Sequence, residues 1–217
     1  MQGGMRMKIE KPKVLKELEE KSFRDILLDE DLVLEACFVN DAVFENELLG
    51  RIKIEGAIIK NGRFSNTDFG RSDLMDVVFE NCDFSNVDLS QSSIHRVEFR
   101  GCKFVGTSFP KCAFGNVLFE ESVISLASFS ESKLKKVLFD RVIAKSTYFY
   151  HCKFNGVDFQ SCNLDDSNFH DTSLKGVDIS SSHFDSLVIS IDELQGCKVS
   201  PAQAIYFASL MGLIIQG

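Results

Sequence analysis

The residue types able to act as metal ligands or nucleophiles are few in this 217-residue chain: His95, His151, His170 and His183, with Cys37, Cys82, Cys102, Cys112, Cys152, Cys162 and Cys197. No pair of histidines has an HxxxH spacing and no CxxC occurs, so the usual sequence marks of a zinc site are missing. Serines are plentiful, but none sits in a nucleophile elbow, and there is no phosphate-binding glycine loop or dinucleotide fingerprint. The residues assemble no catalytic constellation, metal site or cofactor site. They point to a binding or structural protein rather than an enzyme.

Charge is the stronger chemical signal. Asp and Glu number 32 against 24 Lys and Arg, a formal charge of −8. Phosphate binding needs clustered cations that release counterions, so this balance argues against direct nucleic-acid binding and favours a basic partner. Apolar residues at 44% and charged residues at 26% exclude a disordered or collagen-like chain, and the length fits one domain with a substantial core. The longest apolar stretch, Ala202 to Ile215, is too short for a bilayer span, and Met1 to Gly4 lack an apolar signal core. A cytoplasmic protein without membrane contact is expected.

Twenty phenylalanines without a tryptophan direct attention to a repeat. From Leu34 to Leu194 every fifth residue is apolar, 33 positions in all, and 17 of the 20 phenylalanines fall in this register. Calling these positions i, the residues at i−2 are mostly small (Ala57, Thr67, Ser72, Val87, Thr107), and all seven cysteines lie among them. At i−2 a cysteine is a small buried group before it is a redox centre, although Cys82 and Cys102 come within disulfide reach if coils stack. Positions i−1, i+1 and i+2 hold most of the Asp, Asn, Ser, Lys and Gly.

A period of five suits neither regular element. On a helix it advances about 500° and leaves no apolar stripe; on a continuous strand it throws alternate repeats onto opposite faces. A short strand carrying i−2 and i inward, followed by a corner at i+1 and i+2, satisfies the pattern. The chain then coils around its own phenylalanines as a β-solenoid, each coil burying its apolar face on the next.

The runs Asn81-Cys82-Asp83-Phe84-Ser85-Asn86-Val87-Asp88-Leu89 and Asn155-Gly156-Val157-Asp158-Phe159 resemble pentapeptide-repeat proteins. The resemblance implies an all-β fold, a right-handed quadrilateral β-helix with four pentapeptides per coil and residues 20 apart stacked. Residues 34–198 then make about eight coils and a rod on the order of 40 Å long. Residues 1–10 are expected as a flexible start and residues 11–33 as an N-terminal helix and cap, the helix placed at Pro12 to Lys21. Residues 199–217 form a C-terminal module with Ser200 as N-cap and Pro201 at N1 of a helix apolar on most sides. That helix either plugs the last coil or dimerises by an isologous contact.

The ending, Ala-Ser-Leu in a helix followed by Gly-Leu-Ile-Ile, is similar to the C-terminal module of quinolone-resistance (Qnr-type) pentapeptide-repeat proteins. This resemblance implies a homodimer through a helical dimerisation cap, with Ile205, Phe207, Leu210, Met211, Leu213 and Ile214 as the interface. It also implies an acidic rod that mimics DNA, binds DNA gyrase and topoisomerase IV, and protects them from fluoroquinolones. On the face centred on Phe79, Phe99, Phe119 and Phe139, eight acids (Asp41, Glu80, Glu98, Glu120, Glu121, Asp140, Asp158 and Asp178) outnumber Lys60, Arg100 and Arg141. Stacked carboxylates repel, so such a column suggests a partner; an ordinary solvated face is the alternative. The adjacent face is basic in its later coils, with Lys133, Lys135, Lys136, Lys153 and Lys175.

Magnitude limits the mimicry: duplex DNA carries one charge per roughly 1.7 Å, whereas the rod carries one per roughly 5 Å of its length. Ile58, Val78, Leu118 and Leu138 at i−1 are unusual outward residues that offer contact area beside the acids. The unbroken register leaves no room for long projecting loops. Ala144, the one small residue at i, predicts a void or a narrowing filled by Tyr148 or a neighbouring phenylalanine. A scaffolding solenoid that binds another basic protein is the competing function.

Overall fold

The structure, a computed structural model, describes residues 7–215. One parallel sheet contains β1 (Glu19–Glu20), β2 (Val33–Glu35), β3 (Cys37–Asn40), β4 (Lys53–Glu55), β5 (Ile58–Lys60), β6 (Asp73–Glu80), β7 (Ser93–Arg100), β8 (Ala113–Glu120), β9 (Lys133–Asp140) and β10 (Lys153–Gln160). The strands β11 (Ser167–Asn168) and β12 (Leu187–Val188) pair separately, and α1 (Pro201–Leu210) ends the fold. The register places Phe79 opposite Phe99, Phe99 opposite Phe119, and Phe119 opposite Phe139, a constant step of 20 residues. Four pentapeptides therefore close each turn of a right-handed quadrilateral β-helix of about eight turns. Two sides of the square run together as β6–β10; the other two pair through single bridges such as Asp83 with Lys103 and Asp88 with Ser108.

The core follows from the register. Rings one coil apart stack at 5.0 Å for Phe99 and Phe119, 5.0 Å for Phe119 and Phe139, and 4.8 Å for Phe139 and Phe159, the spacing of hydrogen-bonded strands. Neighbouring columns meet edge to face, as Phe104 does with Phe119 at 5.6 Å, the geometry that ring quadrupoles favour. At i−2 the small residues also close hydrogen bonds. The hydroxyls of Thr107, Ser132 and Thr172 donate to the carbonyls of Phe84, Phe109 and Phe149 in the preceding coil. The thiols of Cys112 and Cys152 do the same toward Leu89 and Phe129. Burial pushes the Cys112, Cys152 and Cys162 thiols up to about 12, so they remain protonated donors, and all seven cysteines are free.

Every corner from Ala36 to Gly176 places its i+2 residue in the left-handed region, including Ala36 (φ 47°), Arg71 (φ 60°), Lys111 (φ 60°) and Leu126 (φ 61°). This conformation costs a non-glycine residue on the order of 1 kcal/mol, so corner geometry is imposed by the stack rather than by local preference. Asparagines suit it and form a ladder, Asn86 donating to Asn66 and Asn66 to Asn46. Gly106 stands next in that column because a Cβ there would lie 2.6 Å from Asn86 Oδ1.

The N-terminal cap differs from the expected helix at Pro12 to Lys21. Residues 8–15 are without regular structure, and Glu19–Glu20 pairs with β3 and occupies the open edge of the first coil. A ten-residue charged helix is too short to persist alone, whereas the exposed strand edge supplies unmet hydrogen-bonding groups. The helical turn lies later, at Phe23–Leu28, capped by Ser22 and Asp25. Its Phe23 fills the mouth of the solenoid, 4.7 Å from Phe64 and 5.0 Å from Phe44. Residues 7–10, expected to belong to a flexible start, lie along the rod; residues 1–6 of that start are outside the described residues.

At the other end α1 closes the last coil. Gln203 Nε2 donates to the carbonyls of Ile179 and Ser182, both at 2.9 Å, and Phe207 packs against Phe184. Ala144 is fully buried, and Phe139 meets Phe149 edge to face across its coil at 5.8 Å. Tyr148 is exposed and fills nothing. No described helix is long and apolar enough to cross a membrane.

Replacing Phe119 by Ala removes a ring stacked on both sides and is expected to cost about 3–5 kcal/mol, whereas Tyr148→Ser should stay within about 0.5 kcal/mol. Urea denaturation followed by circular dichroism measures both; equal losses would show that the ring stack does not carry the stability.

Candidate functional site

The eight acids share one side of the rod but stand in three adjacent columns, Glu98, Asp158 and Asp178 at i−1, Glu80, Glu120 and Asp140 at i+1, and Asp41 and Glu121 at i+2, and they differ in what they offer a partner. Glu98 and Asp140 are buried at 3% and 4% exposure, Glu80, Glu120, Asp158 and Asp178 are half-buried, and only Asp41 and Glu121 are exposed. The three bases are threaded between them. Lys60 meets Glu80 at 2.7 Å, and Arg100 meets Glu80, Glu98 and Glu120. Arg141 reaches Glu120 at 3.0 Å, Glu121 at 3.0 Å and Asp140 at 2.9 Å. A continuous ladder of alternating charge thus runs through the coils. It relieves the repulsion of stacked carboxylates, which alignment of like charges would otherwise impose.

Asp41, Asp158 and Asp178 make no ion pair among the described residues. They bond instead to Asn40, Gln160 and Ser180, and Asp158 Oδ1 is enclosed without a hydrogen-bond partner among the described residues. The basic residues Lys133, Lys135, Lys136, Lys153 and Lys175 are all exposed on the adjacent side. The rod is therefore electrically two-sided.

Sequence reasoning missed the occupant of the acidic face. Residues 7–13 run along the rod axis, across β6–β9, at the corner between the two long-strand sides. Met7, Lys8, Ile9 and Lys11 form one wall of an open groove of about 540 Å³ whose other wall is Glu98, Arg100, Leu118, Glu120 and Leu138. Leu118 and Leu138, outward in the repeat pattern, are buried at 9% and 2% exposure. The segment is held at two backbone points: Glu10 N–H donates to Asn116 Oδ1 at 3.1 Å and Lys13 N–H to Asp76 Oδ1 at 2.8 Å. The signals in the sequence were the apolar residues at i−1 and the alternation Met7-Lys8-Ile9, but nothing local joins positions a hundred residues apart.

Asp76 anchors this arrangement. Burial alone would raise its carboxyl, but two 2.6 Å hydrogen bonds from Arg96 and the Lys13 N–H outweigh burial and hold it below the usual carboxylate range. A depressed carboxylate stabilises the fold fully above its unfolded value of about 3.9 and loses that contribution as pH falls through the folded value.

At the C-terminus Phe207 is buried in the chain's own core, while Ile205, Leu210, Met211, Leu213 and Ile214 are between 47% and 91% exposed. The helix thus plugs the last coil with one side and leaves an apolar strip outside. Of the histidines, His170 stacks on Tyr150 at 6.0 Å and lies near Asp171 and Glu193 in a group with metal-ligand spacing. Both Glu193 oxygens accept backbone N–H groups, from Asp171 and Ser190, so this carboxylate acts as a corner cap.

Parallel coils with a 20-residue step, a phenylalanine core and a charged lateral face define a β-solenoid whose chemistry lies on its sides. A family model described as Pentapeptide repeat region matches residues 72–146 and 92–169, so these coils are pentapeptide repeats. No curated protein matches the sequence. Among solved structures it is similar to HetL, a pentapeptide repeat protein involved in heterocyst differentiation regulation from the cyanobacterium Nostoc sp. strain PCC 7120. The identity is 14% and the TM-score 0.65, over 82% of this chain and 88% of that one; at this identity the likeness shows the fold. It is also similar to trypsin-treated QnrB1, a plasmid-mediated fluoroquinolone resistance protein, at 19% identity and a TM-score of 0.48 over 85% and 97% of the two chains.

Asp76→Asn is expected to lower stability at pH 7 by about 2 kcal/mol, the loss of charge-assisted hydrogen bonds, and to flatten the fall in stability of the wild type below pH 4. Urea titrations at pH 3 and pH 7 test this; an unchanged pH profile would remove Asp76 as the anchor.

Proposed function

We propose that this pentapeptide-repeat protein binds DNA gyrase and topoisomerase IV as a partial DNA mimic and protects them from fluoroquinolones. The observation that carries the proposal is the acidic side of a rod of roughly constant section, which presents at least one acid in every coil from Glu80 to Asp178. A basic protein channel shaped for a linear polyanion meets such a side at coil intervals of about 4.8 Å. The resemblance of the C-terminal end to quinolone-resistance proteins points the same way. In this proposal the exposed strip of Ile205, Leu210, Met211, Leu213 and Ile214 joins two copies end to end, doubling the rod; Phe207 supports the strip from inside.

One observation favours a second function, a scaffold for another basic protein. The ion-pair ladder neutralises much of the acidic side locally, since Lys60, Arg100 and Arg141 engage five of its acids. A field this patterned suits a protein partner with its own spaced charges more than a uniform polyanion site.

The deciding experiment is gyrase supercoiling with an inhibitory fluoroquinolone while the purified protein is titrated in. Restored supercoiling at micromolar protein or below is expected, with inhibition at larger excess. Glu120→Lys with Glu121→Lys, two partly or fully exposed positions, should weaken gyrase binding at least tenfold in a correctly folded chain; no protection at any concentration moves the function to the scaffold. Separately, Leu210→Asp is expected to give monomers by light scattering, and a persistent dimer would remove the C-terminal strip from the interface.

A further inference from the structure

The segment at residues 7–13 fits the rod by a match of two lengths. Asn116 and Asp76, the side chains that receive its backbone N–H groups, are two coils apart, about 9.6 Å along the axis. The donors, Glu10 and Lys13, are three residues apart, and three extended residues span about 10 Å. The corner column therefore meets an extended chain at two main-chain donors three residues apart, contacts that do not depend on the side chains at those two positions. Specificity comes from the sides: Met7 and Ile9 are half-buried along the groove that Leu118 and Leu138 line, and Lys8 and Lys11 share its walls with Glu98 and Glu120.

The hold on the segment is light. Residues 7–18 make no backbone-to-backbone hydrogen bond to the coils among the described residues, and the side-chain tie between Lys136 and Glu10 is long, at 3.9 Å. Lys8, Glu10, Lys11 and Lys13 remain exposed. A tethered segment needs little intrinsic affinity, because tethering supplies an effective concentration on the order of millimolar. Such an occupant can be displaced by a chain of the same chemistry that binds through additional contacts.

We infer that this groove is a peptide-binding site for an extended segment of a partner protein in which apolar and basic residues alternate, and that residues 7–13 are its resident, displaceable occupant. Main-chain hydrogen bonds give such a site its affinity and alternate side chains its selectivity. The inference stands apart from topoisomerase binding and applies equally to a scaffold.

The test uses a fluorescein-labelled peptide with the sequence of residues 7–15 and the full-length protein. Ile9→Asp in the protein should release the resident segment, seen as faster hydrogen exchange at the Glu10 and Lys13 amides. The labelled peptide should then bind this variant at least tenfold more tightly than the wild type, by fluorescence anisotropy. Adding Asn116→Leu to the released variant, or replacing by Glu the two peptide lysines that line the groove together with Glu98 and Glu120 (Lys8 and Lys11), should lower binding at least tenfold. Absence of saturable binding to a folded Ile9→Asp protein overturns the inference, as does binding indifferent to both changes. If Ile9→Asp fails to fold, the wild type with excess unlabelled peptide serves instead: accelerated exchange at Glu10 and Lys13 is expected, and unchanged exchange at saturating peptide overturns the inference.

Discussion

A phenylalanine ring stacked on its counterpart 20 residues later requires the two backbones to run parallel, in register and about 4.8 Å apart. Each such contact places the next one, because the coil between them must close on the same square. Ring spacings near 5 Å from Phe79 through Phe159 and the unbroken step of 20 are two expressions of one constraint. The left-handed corners are its consequence: Arg71, Lys111 and Leu126 adopt a conformation they resist because four sides must turn within 20 residues. Cysteine at i−2 follows as well, since its thiol can donate to the previous coil where serine and threonine do so elsewhere.

The same constraint organises the surface. Any outward position becomes a column, so a repeat that places acids at i−1, i+1 and i+2 of one side creates a line of negative charge regardless of whether the fold gains from it. The molecule relieves that line with Lys60, Arg100 and Arg141, each paired with an acid of a neighbouring coil. Exposed pairs of this kind contribute little stability, but Glu98 and Asp140 are buried and need the guanidinium groups beside them. Charge pattern, rather than total charge, is therefore what a partner meets.

The ends obey different physics. A solenoid has two open faces of unsatisfied hydrogen-bonding groups and core side chains. Phe23 and β1 close one, while Gln203 and Phe207 close the other. Each closure uses an aromatic side chain for the core and a backbone or amide group for the sheet edge. The N-terminal segment then continues past its cap and along the rod, covering Leu118 and Leu138.

Local order was legible because its cause is local: a five-residue period with 17 phenylalanines at i dictates which residues face inward, and α1 is announced by Ser200 and Pro201. The composition of the acidic side followed from the same period once four repeats per coil were adopted from the family resemblance. What the tertiary structure alone decided involves groups brought together without any period. Asp76 and Asn116 meet a segment 63 and 106 residues earlier, Glu19–Glu20 becomes a strand rather than part of a helix, and Phe207 turns inward instead of outward. In each case a short stretch with weak preferences of its own takes the conformation that satisfies a hydrogen-bonding edge or an apolar opening, and those openings exist only after the coils have stacked.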